Sequence, residues 1–123
     1  MERRTFKTLS IVVPVYNEGR YLETVISKVI AQALPGGLER ELILVNDASQ
    51  DATWDVMRLL LDKFPSIRFQ LINKPVNERK GAALRDGFAK ITGDIVIIQD
   101  ADFEYDPADV VYAAAALLAS RIA

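Results

Sequence analysis

At 123 residues the chain has room for one domain and one core, which is small for an α/β enzyme. A formal net charge of −2 gives no electrostatic case for a nucleic-acid partner, and no apolar run approaches the roughly 20 residues of a membrane span. With no Cys and no His, thiolate nucleophiles, imidazole bases, disulfides and zinc sites of the usual kind are excluded. Chemistry must run on carboxylates, Lys, Arg, hydroxyls, amides or a hard metal ion.

The basic N-terminus, Met1 to Lys7, leads into an apolar stretch that stops at Asn17, a poor signal peptide, so a cytoplasmic location is expected. Leu9 to Val15 is nearly continuous, apolar and rich in β-branched residues, as a buried parallel strand should be. Leu22, Val25, Ile26, Val29, Ile30 and Ala33 recur at helical spacing, with Pro35-Gly36-Gly37 as the stop. Glu41 to Val45 reads as a second strand, and Trp54, Met57, Leu60, Leu61 and Phe64 as a helix stopped by Pro65. Ile67 to Ile72 is a third strand; Ala83, Leu84, Phe88 and Ile91 mark a third helix closed by Thr92-Gly93; Ile95 to Ile98 is a fourth strand. Asp106 can then cap a helix with Pro107 at its first position, running to about Ser120.

Units of about 30 residues in which strand and helix alternate are βαβ crossovers, which build a parallel sheet with helices on both faces. In such a sheet ligands bind outside the carboxyl ends of the strands. Each strand here is followed by a polar cluster: Tyr16-Asn17-Glu18, Asn46-Asp47-Ala48-Ser49, Asn73-Lys74 and Gln99-Asp100-Ala101-Asp102. All should meet in one crevice.

Several clusters have a plain structural reading. Asn46 to Asp51 could be a turn and helix cap, and Asn17-Glu18 could simply start a helix. Lys74, Arg79, Lys80 and Arg85 could form a solvated face, at least two of them most readily so. The loop carrying Asp100, Asp102, Glu104 and Asp106 is different, because clustered carboxylates repel one another and a structural loop gains little from them. A hard divalent ion, Mg²⁺ or Mn²⁺, would relieve that repulsion. The usual glycine-rich phosphate cradles are missing, so a diphosphate would need such a cation, which also stabilises it as a leaving group.

Ile11 to Glu18 (IVVPVYNE) resembles the opening strand of family 2 glycosyltransferases, and Val45 to Asp51 (VNDASQD) is similar to their V[DN]DxSxD loop. Asn73-Lys74 with Lys80-Gly81-Ala82-Ala83-Leu84 resembles their N.GKGAAL segment, and Gln99 to Asp102 (QDAD) their D-x-D metal motif. The motifs span residues 9 to 107 in the family order, and QDAD with the trailing Asp106-Pro107 is most similar to the polyprenyl-phosphate (dolichol-phosphate) mannosyl- and glucosyltransferase branch.

The resemblance implies a Rossmann-like GT-A three-layer α/β sandwich with a mostly parallel sheet and helices on both faces. It implies transfer of a sugar from a UDP- or GDP-sugar to an acceptor such as a polyprenyl phosphate, in cell-wall or glycolipid synthesis, with Mg²⁺ or Mn²⁺ as cofactor. By position, Pro14, Tyr16 and Glu18 border the base and ribose, Val45 and Asp47 hold the base, and Asp100 and Ala101 line the diphosphate-ribose region. Asp102 binds the metal, with Asp100 and Glu104 as further ligands. Lys74 and Asn77-Glu78-Arg79 depart from the family pattern on the phosphate side, and no residue is assigned as catalytic base.

On this reading residues 1–123 are the nucleotide-sugar-binding part, truncated one helix after the D-x-D strand, with the acceptor-binding half absent and turnover by this chain alone not expected. The full-length parent would work at the cytoplasmic face of a membrane. Ile95 to Ile98 would then lie at an open edge, so self-association as a twofold dimer is expected. The rival readings are another α/β nucleotide enzyme, such as a nucleotidyltransferase, and a non-catalytic nucleotide-binding or self-associating module.

Overall fold

A computed structural model describes residues 6–99, the side chain of Lys80 excepted. Four strands, β1 (Thr8–Val15), β2 (Glu39–Asn46), β3 (Arg68–Asn73) and β4 (Ile95–Ile98), alternate with α1 (Gly19–Ala31), α2 (Thr53–Lys63) and α3 (Arg79–Phe88). The strands form one parallel sheet in the order β3-β2-β1-β4.

Side-chain alternation along β1 explains the layers. Leu9, Ile11, Val13 and Val15 face one side and pack with Leu22, Val25, Ile26 and Val29 of α1 and Met57 and Leu60 of α2. Val12 faces the other side, where Ile43, Val45 and Ala83 of α3 complete a smaller cluster. Each fully buried Val, Leu or Ile contributes about 1.5–3 kcal/mol. Both faces are therefore covered, as the apolar runs of β1 and β2 require. On the α3 side the fit is close: a Cβ on Gly87 would lie 2.6 Å from Val12 Cγ1.

The helices end where their backbone groups find partners. Helix α1 stops at Ala31, leaving Ala33 exposed in the connection, although the apolar spacing had carried the helix to Ala33. The Arg40 guanidinium reaches back from β2 and donates to the carbonyls of Val29 and Ile30 in the last turn and of Gln32 just beyond it, giving those orphan acceptors a partner. In α2, Met57 and Leu60 are buried but Leu61 is 42% exposed. In α3 the helix ends at Phe88, which is half exposed, and Ile91 packs from the following loop.

The connections β1–α1–β2 and β2–α2–β3 step one way along the sheet, and β3–α3–β4 steps back past β1. With right-handed crossovers that reversal puts α1 and α2 on one face and α3 on the other, as the two clusters record. It also places the topological switch between β1 and β4, at the carboxyl edge. The amide of Gln99 donates to the Val12 carbonyl (3.0 Å), so alternate residues of β1 bond toward β4. The next such residue, Pro14, has no N–H to donate, and Val12–Ile98 is the last β1–β4 pair among the described residues.

Candidate functional site

Three loops at the carboxyl edge are interlocked by short polar side chains. The amide of Asn17, at φ 51°, donates to Ser49 Oγ (2.9 Å), and Asn17 Oδ1 accepts the Gln50 amide (2.8 Å). Asp51 Oδ2 accepts the Gly19 amide (3.3 Å), while Oδ1 accepts the amide of Thr53 (2.9 Å) and its hydroxyl. Burial works to raise the Asp51 carboxyl, but the bonds from Thr53 and Gly19 outweigh it and hold its pKa below the usual carboxylate value. Gly19 lets the starts of α1 and α2 meet: a Cβ there would be 2.9 Å from the Thr53 nitrogen.

Toward β3, Asn46 Nδ2 donates to Asn73 Oδ1 (2.9 Å), Asn46 Oδ1 accepts the Ser49 amide (3.2 Å), and the Lys74 amide donates to the Asn46 carbonyl (2.9 Å). So Asn46, Ser49 and Asp51 are occupied in building the loops.

Asp47 is different. Its amide closes the end of β1 by donating to the Val15 carbonyl (2.9 Å). Its side chain is 4% exposed, and Oδ1 accepts the Glu78 amide at 3.1 Å. Among the described residues nothing donates to Oδ2. A nearly buried carboxylate with spare acceptor capacity sits at the ligand-binding edge of the sheet. Buried charges ordinarily collect more donors than that.

The other sequence-derived residues fall around it. Pro14 and Val45 are register partners across β1 and β2, one residue short of Val15 and Asn46. The Val45 side chain is committed to the core beside Val12 and Ala83. Tyr16 is 44% exposed and Glu18 half-buried, both in the β1–α1 loop. Asp100, Ala101, Asp102 and Glu104 lie outside the described residues, as do Asp106-Pro107 and the Ala-rich stretch after them. Among the described residues no group of three acidic side chains could hold a metal, and no helix is long and apolar enough to cross a membrane.

The spacing did not reveal Lys74 as a buried residue. Its side chain is 6% exposed and its ammonium pairs with Glu78 (2.9 Å) and Asp86, so it does not belong to a solvated face; Arg79 and Arg85 are exposed. The hydrogen bonds from Asp86 and then Glu78 hold the Lys74 pKa above its ordinary value. A cleft of about 310 Å³ at the opposite, amino edge is lined by Thr8, Glu39, Arg40 and Arg68, but Arg40 is spent there on α1.

The sequence profile described as "Glycosyl transferase family 2" matches residues 10–120. The chain belongs to that family. It is 33% identical over 99 residues to a dolichol-phosphate mannosyltransferase of Pyrococcus furiosus, a match covering 80% of this chain and 27% of that one. In three dimensions it is similar to a mannosyltransferase of Pyrobaculum calidifontis solved with GDP-Man and Mn²⁺, with a TM-score of 0.73 and 27% identity over 86% of this chain and 31% of that one. It is similar too to glucosyl-3-phosphoglycerate synthase of Mycobacterium tuberculosis solved with Mn²⁺, UDP and phosphoglyceric acid (TM-score 0.69, 28% identity, 91% and 39% covered). The chain thus spans between about a quarter and two fifths of the length of these relatives. The expected GT-A α/β architecture with its mostly parallel sheet is the one found.

Proposed function

We propose that this chain is the donor-binding part of a glycosyltransferase that moves a sugar from a UDP- or GDP-sugar to an acceptor, of which a polyprenyl phosphate is the best candidate. The observation that carries the reading is Asp47: a buried carboxylate at the carboxyl edge, fixed by one backbone amide and able to accept another hydrogen bond. Such a group suits the imide N–H of uracil or guanine and would repel the bare N3 lone pair of cytosine. Pro14, Tyr16 and Glu18 flank the base and ribose in this reading, while Val45, its side chain fully buried in the core, supports Asp47 from beneath. Family membership and the nucleotides and Mn²⁺ bound to the two structural relatives support it. The acceptor assignment rests on the Pyrococcus relative, a dolichol-phosphate mannosyltransferase.

Asp102 would hold a divalent ion, Mg²⁺ or Mn²⁺, with Asp100 and Glu104 beside it, while Asp100 and Ala101 line the diphosphate-ribose region. When bound, the ion would neutralise the diphosphate. This chain's described residues supply base recognition and a rigid loop frame.

Calorimetry with UDP and GDP, with and without Mn²⁺, tests the assignment. Losing a charge-assisted bond costs about 1.5–3 kcal/mol, so Asp47→Ala should weaken both nucleotides roughly 10- to 150-fold. Asp102→Asn should remove the metal dependence and spare the fold. Unchanged affinities in Asp47→Ala would reduce that residue to a turn former, and equal wild-type affinity with and without Mn²⁺ would end the metal role.

A second reading, self-association, draws on β4. Val96 and Ile98 are 39% and 45% exposed on β4, an edge strand among the described residues, the kind of surface that pairs with another chain. Light scattering at micromolar concentration would show a dimer, and a monomer would dismiss it.

A further inference from the structure

Lys74 stands in a crevice assigned to a diphosphate, where a lysine invites the role of phosphate ligand. Its surroundings argue otherwise. The ammonium has three donors, and Glu78 and Asp86 take two of them in a pocket that leaves the side chain 6% exposed. Asp86 belongs to α3 and Glu78 to the loop before it, so Lys74 ties the end of β3 to both.

The segment it ties is strained. Arg79, the first residue of α3, has φ 73°, in the left-handed region that disfavours a residue with a Cβ. Such a conformation persists only where the surroundings over-determine it. Three contacts do so here: Asn77 Oδ1 accepts the Arg79 amide (3.0 Å), Asp47 Oδ1 accepts the Glu78 amide (3.1 Å), and Lys74 grips the Glu78 carboxylate (2.9 Å). Glu78 is therefore held at both ends. Its carboxylate is on Lys74 and its amide is on Asp47.

We infer that Lys74 is a positioning residue for the nucleobase contact: by anchoring Glu78 to Asp86 it holds the strained turn that delivers the Glu78 amide to Asp47. The inference rests on the reading of Asp47 as the base-binding group. It assigns Lys74 no phosphate contact.

The experiment compares wild type with Lys74→Met, Asp86→Asn, Arg79→Gly and the Lys74→Met/Arg79→Gly double variant. In ligand-free protein, amide exchange at Glu78 followed by NMR should quicken about tenfold in Lys74→Met as the turn opens locally. Asp86→Asn should quicken it less, and it carries the test if Lys74→Met does not fold. Dissociation constants with Mn²⁺ should rise by the same factor, roughly tenfold, for uridine as for UDP and for guanosine as for GDP. Glycine adopts positive φ without strain, so Arg79→Gly in the Lys74→Met background should recover most of that loss, which a general packing defect would not allow. Unchanged Glu78 exchange in both single variants overturns the inference. A loss confined to the diphosphates also overturns it and makes Lys74 a phosphate ligand. If Glu78 exchange quickens as expected but wild type binds none of the four ligands, the crosslink stands and the nucleotide reading of the site falls.

Discussion

Strand β2 carries a buried carboxylate near each end, and the two are used in opposite ways. Glu41, near the amino end, is fully buried on the α3 face. Gln70 Nε2 donates to its Oε1 (2.8 Å) and also to the Lys90 carbonyl (2.7 Å), while the Thr92 hydroxyl donates to its Oε2. Asp47, just past the carboxyl end, has one backbone amide on one oxygen. Both charges bear a desolvation cost, but only the first is closed by its own protein. A buried carboxylate saturated by side chains is a clamp, here fastening β3 and the α3–β4 loop to β2. One with acceptor capacity left at the carboxyl edge is the group proposed above to receive a nucleobase.

The largest expected effect tests the clamp. Glu41→Ala would remove the acceptor shared by the half-buried Gln70 amide and the exposed Thr92 hydroxyl, each a hydrogen bond to a charged group worth about 1.5–3 kcal/mol before solvent takes the place of the lost partner. A total loss of roughly 2–4 kcal/mol, read from urea denaturation, should leave UDP and GDP affinity unchanged in the protein that remains folded. Asp47→Ala should do the reverse, moving stability by no more than about 1 kcal/mol while affinity falls. If both variants lose stability and affinity together, the two carboxylates share one role and the distinction fails.

The architecture was legible in the sequence because long apolar runs and helical spacing are local signals. The alternation of strand and helix also fixed which loops share an edge. What could not be read was how Asn46, Asp47, Ser49 and Asp51 divide their work. Their partners lie about 30 residues away, at Asn17, Gly19, Asn73 and Glu78, and the assignment depends on register between loops. The end of α1 was missed for a like reason, since Arg40 satisfies its last carbonyls from the next strand. Glu41 carried a signal that went unused. A Glu in phase with Ile43 and Val45 faces the core, and its register partner Ser10 is buried too. A polar pair inside two apolar strands announces a buried network.

A third carboxylate, Asp51, sits between these extremes and gives a smaller, pH-dependent effect. It joins the starts of α1 and α2 through the Gly19 and Thr53 amides. A hydrogen bond of this kind contributes about 0.5–1.5 kcal/mol, so Asp51→Ala should be less stable than wild type by about 1 kcal/mol at pH 7. Because the folded carboxyl titrates below its ordinary value, its contribution is complete above the ordinary carboxylate pKa, about 3.9. It is lost as the pH falls through the folded value. Urea midpoints of wild type and variant should therefore converge on acidification, and a gap that stays constant would show that packing, not the charge, makes the difference.

The smallest effect gives the sharpest version of the comparison between Glu41 and Asp47. Glu41→Gln removes the charge and keeps the shape. The new carbonyl can still accept from Gln70, and the Thr92 hydroxyl, which both donates and accepts, can turn to take the new amide N–H. A clamp needs filled hydrogen bonds more than it needs charge, and neutralising the residue also removes a desolvation cost. The expected stability change is therefore under about 1 kcal/mol in either direction, well short of the alanine variant. The measurement is the urea midpoint of Glu41→Gln beside that of Glu41→Ala. If the two fall equally, the negative charge itself is what β3 and the α3–β4 loop require, and Glu41 cannot be set apart from Asp47 as a purely structural acid.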